Sequence, residues 1–454
     1  MGGCGPSRRP AADGSPYVSP PFQAVPTNLA RYGLSQVVNH LLGNGEGWEW
    51  GARPRGARTP LTSSPPSLAT PTPYDFLIDG ALVRGPLDAA LRARGTSAES
   101  VVELEYIIAV APPAPAPPCP ADDWVLALAP APSGGLIAGC ADGVVRAWTG
   151  DGLRAGDGAA AVAAPAHAGG AAAVACLPSA RLLISAGRDG VVRVSTLPAC
   201  AGGESDAGAV AGVGRAHADS VASLAAAPTA PAFASGGWDG VVRLWAVDAD
   251  ALAAGAGGGA PKKRRGAAAD AAAAAEPAAL APSSTLEGHS QAVTALAWPS
   301  ATTLVSAGLD GAARRWDAAT GAALDVLHAG AALLAVAAPP GSPAVAAFGG
   351  AGGAVRVWDS RSPAAGAAPG AADLGTHAAW VSAVAWHPSS IHHLASASHD
   401  GSVRVWDCRA RGAPLAALAA HDGKALAVAW ADDGLLTSGG EDGKVRAWSV
   451  VGVV

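Results

Sequence analysis

Serine, histidine and aspartate are the residues of a nucleophilic triad, in which an imidazole takes the hydroxyl proton and a carboxylate orients the imidazole. In this 454-residue chain they recur at fixed spacing: a His 21 to 23 residues before an Asp, a Ser four before it, and a Trp six after it. Four sets are complete: His217, Ser235, Asp239, Trp245; His289, Ser306, Asp310, Trp316; His377, Ser396, Asp400, Trp406; and His421, Ser438, Asp442, Trp448. A catalytic triad occurs once, beside an oxyanion site. This trio repeats in one register, and each copy adds an indole donor. Buried polar groups have to satisfy one another, and a closed chain of these four side chains does so inside one structural unit. The pattern points to scaffolding. With no Gly-rich phosphate loop, unique nucleophile or metal cluster of its own, the chain is expected not to be an enzyme.

The element that must position these residues is DGSVRVWDC, Asp400 to Cys408. An Asp-Gly hairpin turn leads into a strand with two different faces. Seven copies start at Asp142, Asp189, Asp239, Asp310, Gly352, Asp400 and Asp442, with successive spacings of 47, 50, 71, 42, 48 and 42 residues. Forty-odd residues is the period of a four-stranded propeller blade, with one insertion of roughly 25 residues, and seven blades close a ring. The side-chain set resembles the hydrogen-bond network of WD repeats. Three copies depart from it: the second keeps His167, Ser185 and Asp189 but has Ser195 in place of Trp, the first has Ala138 in place of Ser, and the fifth has Phe348 and Gly352. Those blades are expected to rest more on apolar packing.

The length accommodates such a propeller of about 330 residues plus one small domain. Six cysteines are scattered without CxxC spacing, which fits a reduced intracellular compartment better than a disulfide framework. No signal peptide is visible, and the most apolar stretch, Ala329 to Phe348, is broken by Pro339 and Pro340, so a soluble protein without membrane contact is expected. A formal charge of -6 argues against a chain-wide nucleic-acid surface.

Along the chain, residues 1–15 lack periodicity and are expected to be disordered. A small α+β domain follows over 16–110. PFQAVPTNL reads as a short strand, and Leu34, Val37, Val38, Leu41 and Leu42 fall at helical spacing behind Ser35 as cap. Residues 44–73, rich in Gly, Pro, Arg and Ser, read as a loop insertion. DFLIDGALVRG gives a hairpin, Leu87 and Leu91 a short helix, and Val101 to Val110 a last strand. Residues 111–121 read as a stiff proline-rich linker, and 122–454 as the propeller, with a low-complexity insertion at 249–282. The chain ends soon after Trp448, so a strand from near the linker is expected to complete the last blade. Lys262, Lys263, Arg264 and Arg265 in the insertion have the composition of a nuclear import signal, or of a solvated charge run.

YGLSQVVNHLLG, PYDFLIDGALVRGPLDAAL and GTSAESVVELEYIIAVAPP resemble the Notchless-like (NLE) ubiquitin-like domain of the eukaryotic WD-repeat ribosome-biogenesis factors that act with pescadillo and Bop in the PeBoW complex. The resemblance covers about Phe22 to Pro113 apart from the insertion, and that family carries a seven-bladed propeller next. It implies a mainly β protein: a ubiquitin-like β-grasp followed by the WD-repeat propeller. The family's first strand has no visible counterpart in residues 1–16, and 44–73 is absent from the usual pattern; a misread gene model would account for both.

The resemblance also implies a function. It is an assembly factor for the large (60S) ribosomal subunit in pre-rRNA processing, found in nucleolus and nucleoplasm, with Bop-type and pescadillo-type proteins, pre-60S particles and midasin as partners. In the family a loop acidic residue is offered to the Mg2+ of the MIDAS domain of midasin, an AAA+ ATPase; the matching residue here is Glu99. A carboxylate suits a hard cation with an open coordination position. That Mg2+ belongs to the partner, and no cofactor of the chain's own is implied. Asp79 and Asp88 are accounted for by turn and helix-dipole chemistry. Direct rRNA contact stays open, as do a Notchless-like pre-60S role and a generic scaffold such as a ubiquitin-ligase substrate receptor.

Overall fold

The computed structural model describes residues 2–5, 23–25, 29–41, 74–78, 81–83, 85–95, 102–108 and 112–450, the last without 157–160, 165–166, 178–181, 197–209, 216, 248–276, 362–370 and 411. Two compact units result, Met1–Ala111 and Pro112–Val454.

In the first unit, β1 (Gly2–Gly5) pairs antiparallel with β2 (Gln23–Val25) and parallel with β5 (Val102–Glu103). On the other side, β3 (Tyr74–Ile78) pairs with β4 (Ala81–Leu82) and with β6 (Glu105–Ile108). Only Leu104 separates β5 from β6, so the last strand joins the two halves in the order β2, β1, β5/β6, β3, β4, that of a β-grasp. Residues 2–5 were expected to be disordered and the family's first strand missing; both expectations are corrected. GGCG has no alternating pattern to read, because its pairing is supplied by two partner strands distant in sequence. The insertion at 44–73 lies outside the described residues.

Helix α1 (Arg31–Leu41) and helix α2 (Leu87–Ala93) cover this sheet, burying Leu34, Leu87 and Leu91 against Tyr74, Phe76 and Ile78. Ser35 does not cap α1 but lies one turn inside it. Its buried hydroxyl accepts the Tyr74 N–H at 2.9 Å and donates to the Tyr74 carbonyl at 3.0 Å, pinning the first residue of β3 to the helix.

The second unit is a ring of seven sheets. Their first strands begin at Val125, Ala171, Val221, Val293, Leu333, Val381 and Ala425, and each touches the next in a cycle that closes from the seventh to the first. They line a central channel. Every Asp-Gly turn has its glycine at positive φ, from 65° at Gly443 to 88° at Gly143; a Cβ on Gly143 would lie 2.1 Å from the His167 carbonyl oxygen.

Two sequence expectations change here. Residues 112–120 are not a spacer: β7 (Ala114–Pro115) and β8 (Cys119–Pro120) pair with Lys444–Ser449 and form the outer strand of the seventh blade. The pairing bears out the strand expected from near the linker to complete the last blade. Likewise Ala278–Leu280, assigned to the low-complexity insertion, adds a parallel fifth strand to the second blade beside Val210–Gly214.

The Ser35 link sets a measurable expectation. Ser35→Ala leaves two buried backbone groups unpaired, a cost of about 1–3 kcal/mol. Hydrogen–deuterium exchange of the Tyr74–Ile78 amides in the full chain is expected to accelerate by about tenfold or more, with propeller amides unchanged; equal exchange would remove the pinning role.

Candidate functional site

The repeated network assembles where the strand register carries it. In each complete blade the Trp pairs with a residue of the second strand two before the Ser, as Trp245 with Phe233 and Trp316 with Leu304, so indole and hydroxyl fall on one sheet face. In the third blade Trp245 Nε1 donates to Ser235 Oγ at 2.8 Å, the hydroxyl lies 2.7 Å from His217 Nε2, and His217 Nδ1 lies 3.2 Å from the Asp239 carboxylate. The fourth blade repeats this with Trp316 to Ser306 at 2.8 Å, Ser306 to His289 at 2.7 Å and His289 to Asp310 at 3.0 Å. In the sixth, Trp406 and His377 each lie 2.7 Å from Ser396, and His377 is 3.3 Å from Asp400. In the seventh, His421 is 2.7 Å from Ser438 and 2.8 Å from Asp442, with Trp448 buried in the same blade.

Proton accounting fixes the tautomer. The serine oxygen accepts from the indole, so its one hydrogen goes to Nε2, and the imidazole proton sits on Nδ1 toward the carboxylate. A neutral imidazole satisfies both the serine and the carboxylate. Accordingly burial lowers the basicity of His167, His217, His289, His377 and His421 below the ordinary 6.5. At Asp239, Asp310, Asp400 and Asp442 burial works upward but loses to hydrogen bonds: those from the Ser402 hydroxyl and N–H, with the Ala378 N–H, hold Asp400 at about 2. The serines of the four complete trios are fully buried.

The incomplete blades show what each member contributes. In the second, His167 keeps Ser185 at 2.8 Å and Asp189 at 3.2 Å, but Ser195, at the Trp position, is buried with its hydroxyl unpartnered. In the first, Ala138 stands in the Ser position and the buried Trp148 Nε1 has no acceptor. In the fifth, Phe348 replaces Ser and packs on Trp358 with ring centroids 6.1 Å apart, an apolar substitute.

One contributor escaped the sequence reading although the repeated phrase contains it. The arginine four residues after the turn Asp pairs with that Asp: Arg146 with Asp142 at 2.7 Å, Arg243 with Asp239 at 2.8 Å, Arg193 with Asp189 at 3.2 Å and Arg446 with Asp442 at 3.4 Å. In the fifth blade, where Gly352 removes the carboxylate, Arg356 turns instead to Asp373 at 2.7 Å and the Ala329 carbonyl at 3.0 Å. Glu99 and the basic run Lys262–Arg265 lie outside the described residues. Among the described residues no group of three or more His, Cys, Asp or Glu is arranged to hold a metal ion, and no helix is long and apolar enough to cross a membrane.

Ser306→Ala is expected to strand His289 Nε2 and Trp316 Nε1 at about 1–3 kcal/mol each, whereas Ala138→Ser gives Trp148 an acceptor and adds about 1 kcal/mol. Calorimetric melting of the two variants should therefore move in opposite directions. Stability should also depend on pH with a defined sign. The folded-state histidines titrate below 6.5, so their contribution is complete above that pH and declines as the pH falls through their depressed values. Asp400 extends the loss from its ordinary 3.8 toward 2. Melting temperature is expected to hold level above about pH 6.5 and fall steadily below it; a profile rising on acidification would contradict neutral imidazoles.

Comparison with known proteins places this architecture. The profile of the NLE (NUC135) domain matches residues 12–91. That of the WD domain, G-beta repeat, matches 118–149, 210–246, 280–317, 371–407 and 412–449, leaving out the turns at Asp189 and Gly352, whose blades lack Trp or lack both Ser and Asp. The chain is 40% identical over 446 residues to a ribosome biogenesis protein WDR12 homolog of Chlamydomonas reinhardtii, covering 94% of this chain and 93% of that protein. It is 34% identical to the homolog of Oryza sativa subsp. japonica, covering 97% and 95%. With the ribosome biogenesis protein YTM1 of Eremothecium gossypii it shares 36% identity over 37% of this chain and 31% of that one. An N-terminal NLE domain, a WD-repeat propeller and end-to-end similarity at this level put the chain in the WDR12-homolog family of ribosome biogenesis proteins.

Proposed function

We propose that this protein is a non-enzymatic assembly factor for the large ribosomal subunit, acting in the nucleolus and nucleoplasm as the WD-repeat member of a PeBoW-type complex. The observation that carries the reading is similarity across 94% of the chain, through both domains, to a protein named for ribosome biogenesis. In this reading the propeller docks on a Bop-type protein, with a pescadillo-type protein in the same complex, and supports processing of 27S-type pre-rRNA. The basic run Lys262–Arg265 serves nuclear import. Seven blades in a closed cycle match the propeller that the resembled family carries.

The NLE domain supplies the handle for removal. Glu99 falls in the short connection between helix α2, which ends at Ala93 and turns at Gly95 with φ of 68°, and strand β5, which starts at Val102. The carboxylate completes the coordination of the Mg2+ in the MIDAS domain of midasin, so ATP-driven force on the NLE domain strips the factor from the pre-60S particle.

The test is a pull-down of the full chain by the midasin MIDAS domain in Mg2+, with EDTA and Glu99→Ala alongside. Binding by the native chain is expected, and its loss with EDTA or the variant, while melting temperature stays within the range of a surface change. Retained binding by a folded Glu99→Ala chain would overturn the role of Glu99. Capture of cullin subunits instead of pre-60S proteins from a nuclear extract would favour the substrate-receptor alternative.

A further inference from the structure

One end of the propeller channel is ringed by a set of positions that the hydrogen bonding defines. In every blade the N–H of the residue just before the turn Asp or its equivalent donates to the carbonyl of the residue just before the first strand, at 2.9 to 3.3 Å, as Ala141 to Trp124, Trp238 to Ser220 and His399 to Trp380. These paired residues therefore surround the same mouth. Three of them are tryptophans with large exposure: Trp124 at 46%, Trp238 at 58% and Trp380 at 52%. Exposed indoles are costly to leave in water, and none of the three belongs to the buried network, whose tryptophans are nearly inaccessible. Trp380 is held by a stack on His399 with centroids 5.8 Å apart.

Charge narrows what would sit there. Besides the turn aspartates, the loops of this mouth carry six acidic residues, Asp122, Asp123, Asp219, Glu287, Asp422 and Glu441, against three basic ones, Arg188, Arg215 and Lys424. Lys424 is taken up by Glu441 at 3.4 Å. Asp122 and Asp422 keep side-chain exposures of 79% and 82% although Arg146 and Arg446 lie within 4 Å. Trp124 follows Asp122 and Asp123 in the chain and its N–H donates to the Asp123 carboxylate at 2.8 Å, while Trp238 is bonded through its backbone to Ser220, the neighbour of Asp219. Phosphates would be repelled by this arrangement, whereas a guanidinium both stacks on an indole face and forks a carboxylate.

We propose that the tryptophan-ringed mouth is a docking surface for an arginine-bearing segment of a partner protein. The surface is independent of Glu99 and of the NLE domain, so the removal handle and this contact can fail separately.

Calorimetric titration of the full chain with a short Gly-Arg repeat peptide tests it, with a Gly-Glu repeat peptide and a single-stranded oligouridylate as competing chemistries. Saturable binding of the Gly-Arg peptide alone is expected, weakened about tenfold by Trp124→Ala or Trp380→Ala and by the pair Asp122→Asn with Asp422→Asn. The aromatic variants should melt like the native chain, because the removed rings are half exposed. No binding of the Gly-Arg peptide, binding that the variants leave unchanged, or preference for the oligonucleotide would each overturn the proposal; the last would point to RNA on this face.

Discussion

A single serine hydroxyl holds each complete blade together. In the third, fourth and sixth blades it takes the indole proton at 2.7 to 2.8 Å and passes its own to the imidazole at 2.7 Å. Everything downstream follows from that relay. The imidazole is left with a proton on Nδ1, the proton is committed to the turn carboxylate, and the carboxylate in turn fixes the hairpin through backbone N–H groups such as those of Val241 and Ala312. Strands one, two and three of a blade and the turn between them are thereby tied by side chains as well as by the backbone ladder. Where the hydroxyl is missing, in the first blade, the ladder persists but an indole N–H is stranded.

The fold was largely legible because the network is written in residue types at fixed offsets, and offsets survive an Ala- and Gly-rich composition that blurs hydropathy. Blade number, blade boundaries and the departures at Ala138, Ser195, Phe348 and Gly352 could all be read that way. What could not be read was pairing between segments without a side-chain signature. GGCG at residues 2–5 and Ala278–Leu280 are strands because a neighbouring edge accepts them. Ser35 misled for a related reason: a serine ahead of an apolar run has the form of a cap, yet here it serves a backbone 39 residues away.

The site divides along the same line. Network members were visible because they repeat, and the arginine of the repeated phrase was overlooked because a surface-strand arginine has many ordinary explanations. The tryptophans at the channel mouth do not repeat from blade to blade, so no periodicity marks them. They emerge only once the hydrogen bonds show that residues 124, 238 and 380 occupy equivalent places.

The outer strand of the seventh blade is also the first stretch of chain after the N-terminal unit. Its prolines leave few donors, and Ala116 to the Ala447 carbonyl at 2.8 Å and Ala121 to the Gly443 carbonyl at 2.9 Å are among the bonds that hold it. A mechanical load on the N-terminal unit therefore enters the propeller at its own seam, before reaching any continuous hairpin. In the proposed reading, the handle and the strand that closes the ring are consecutive along the chain.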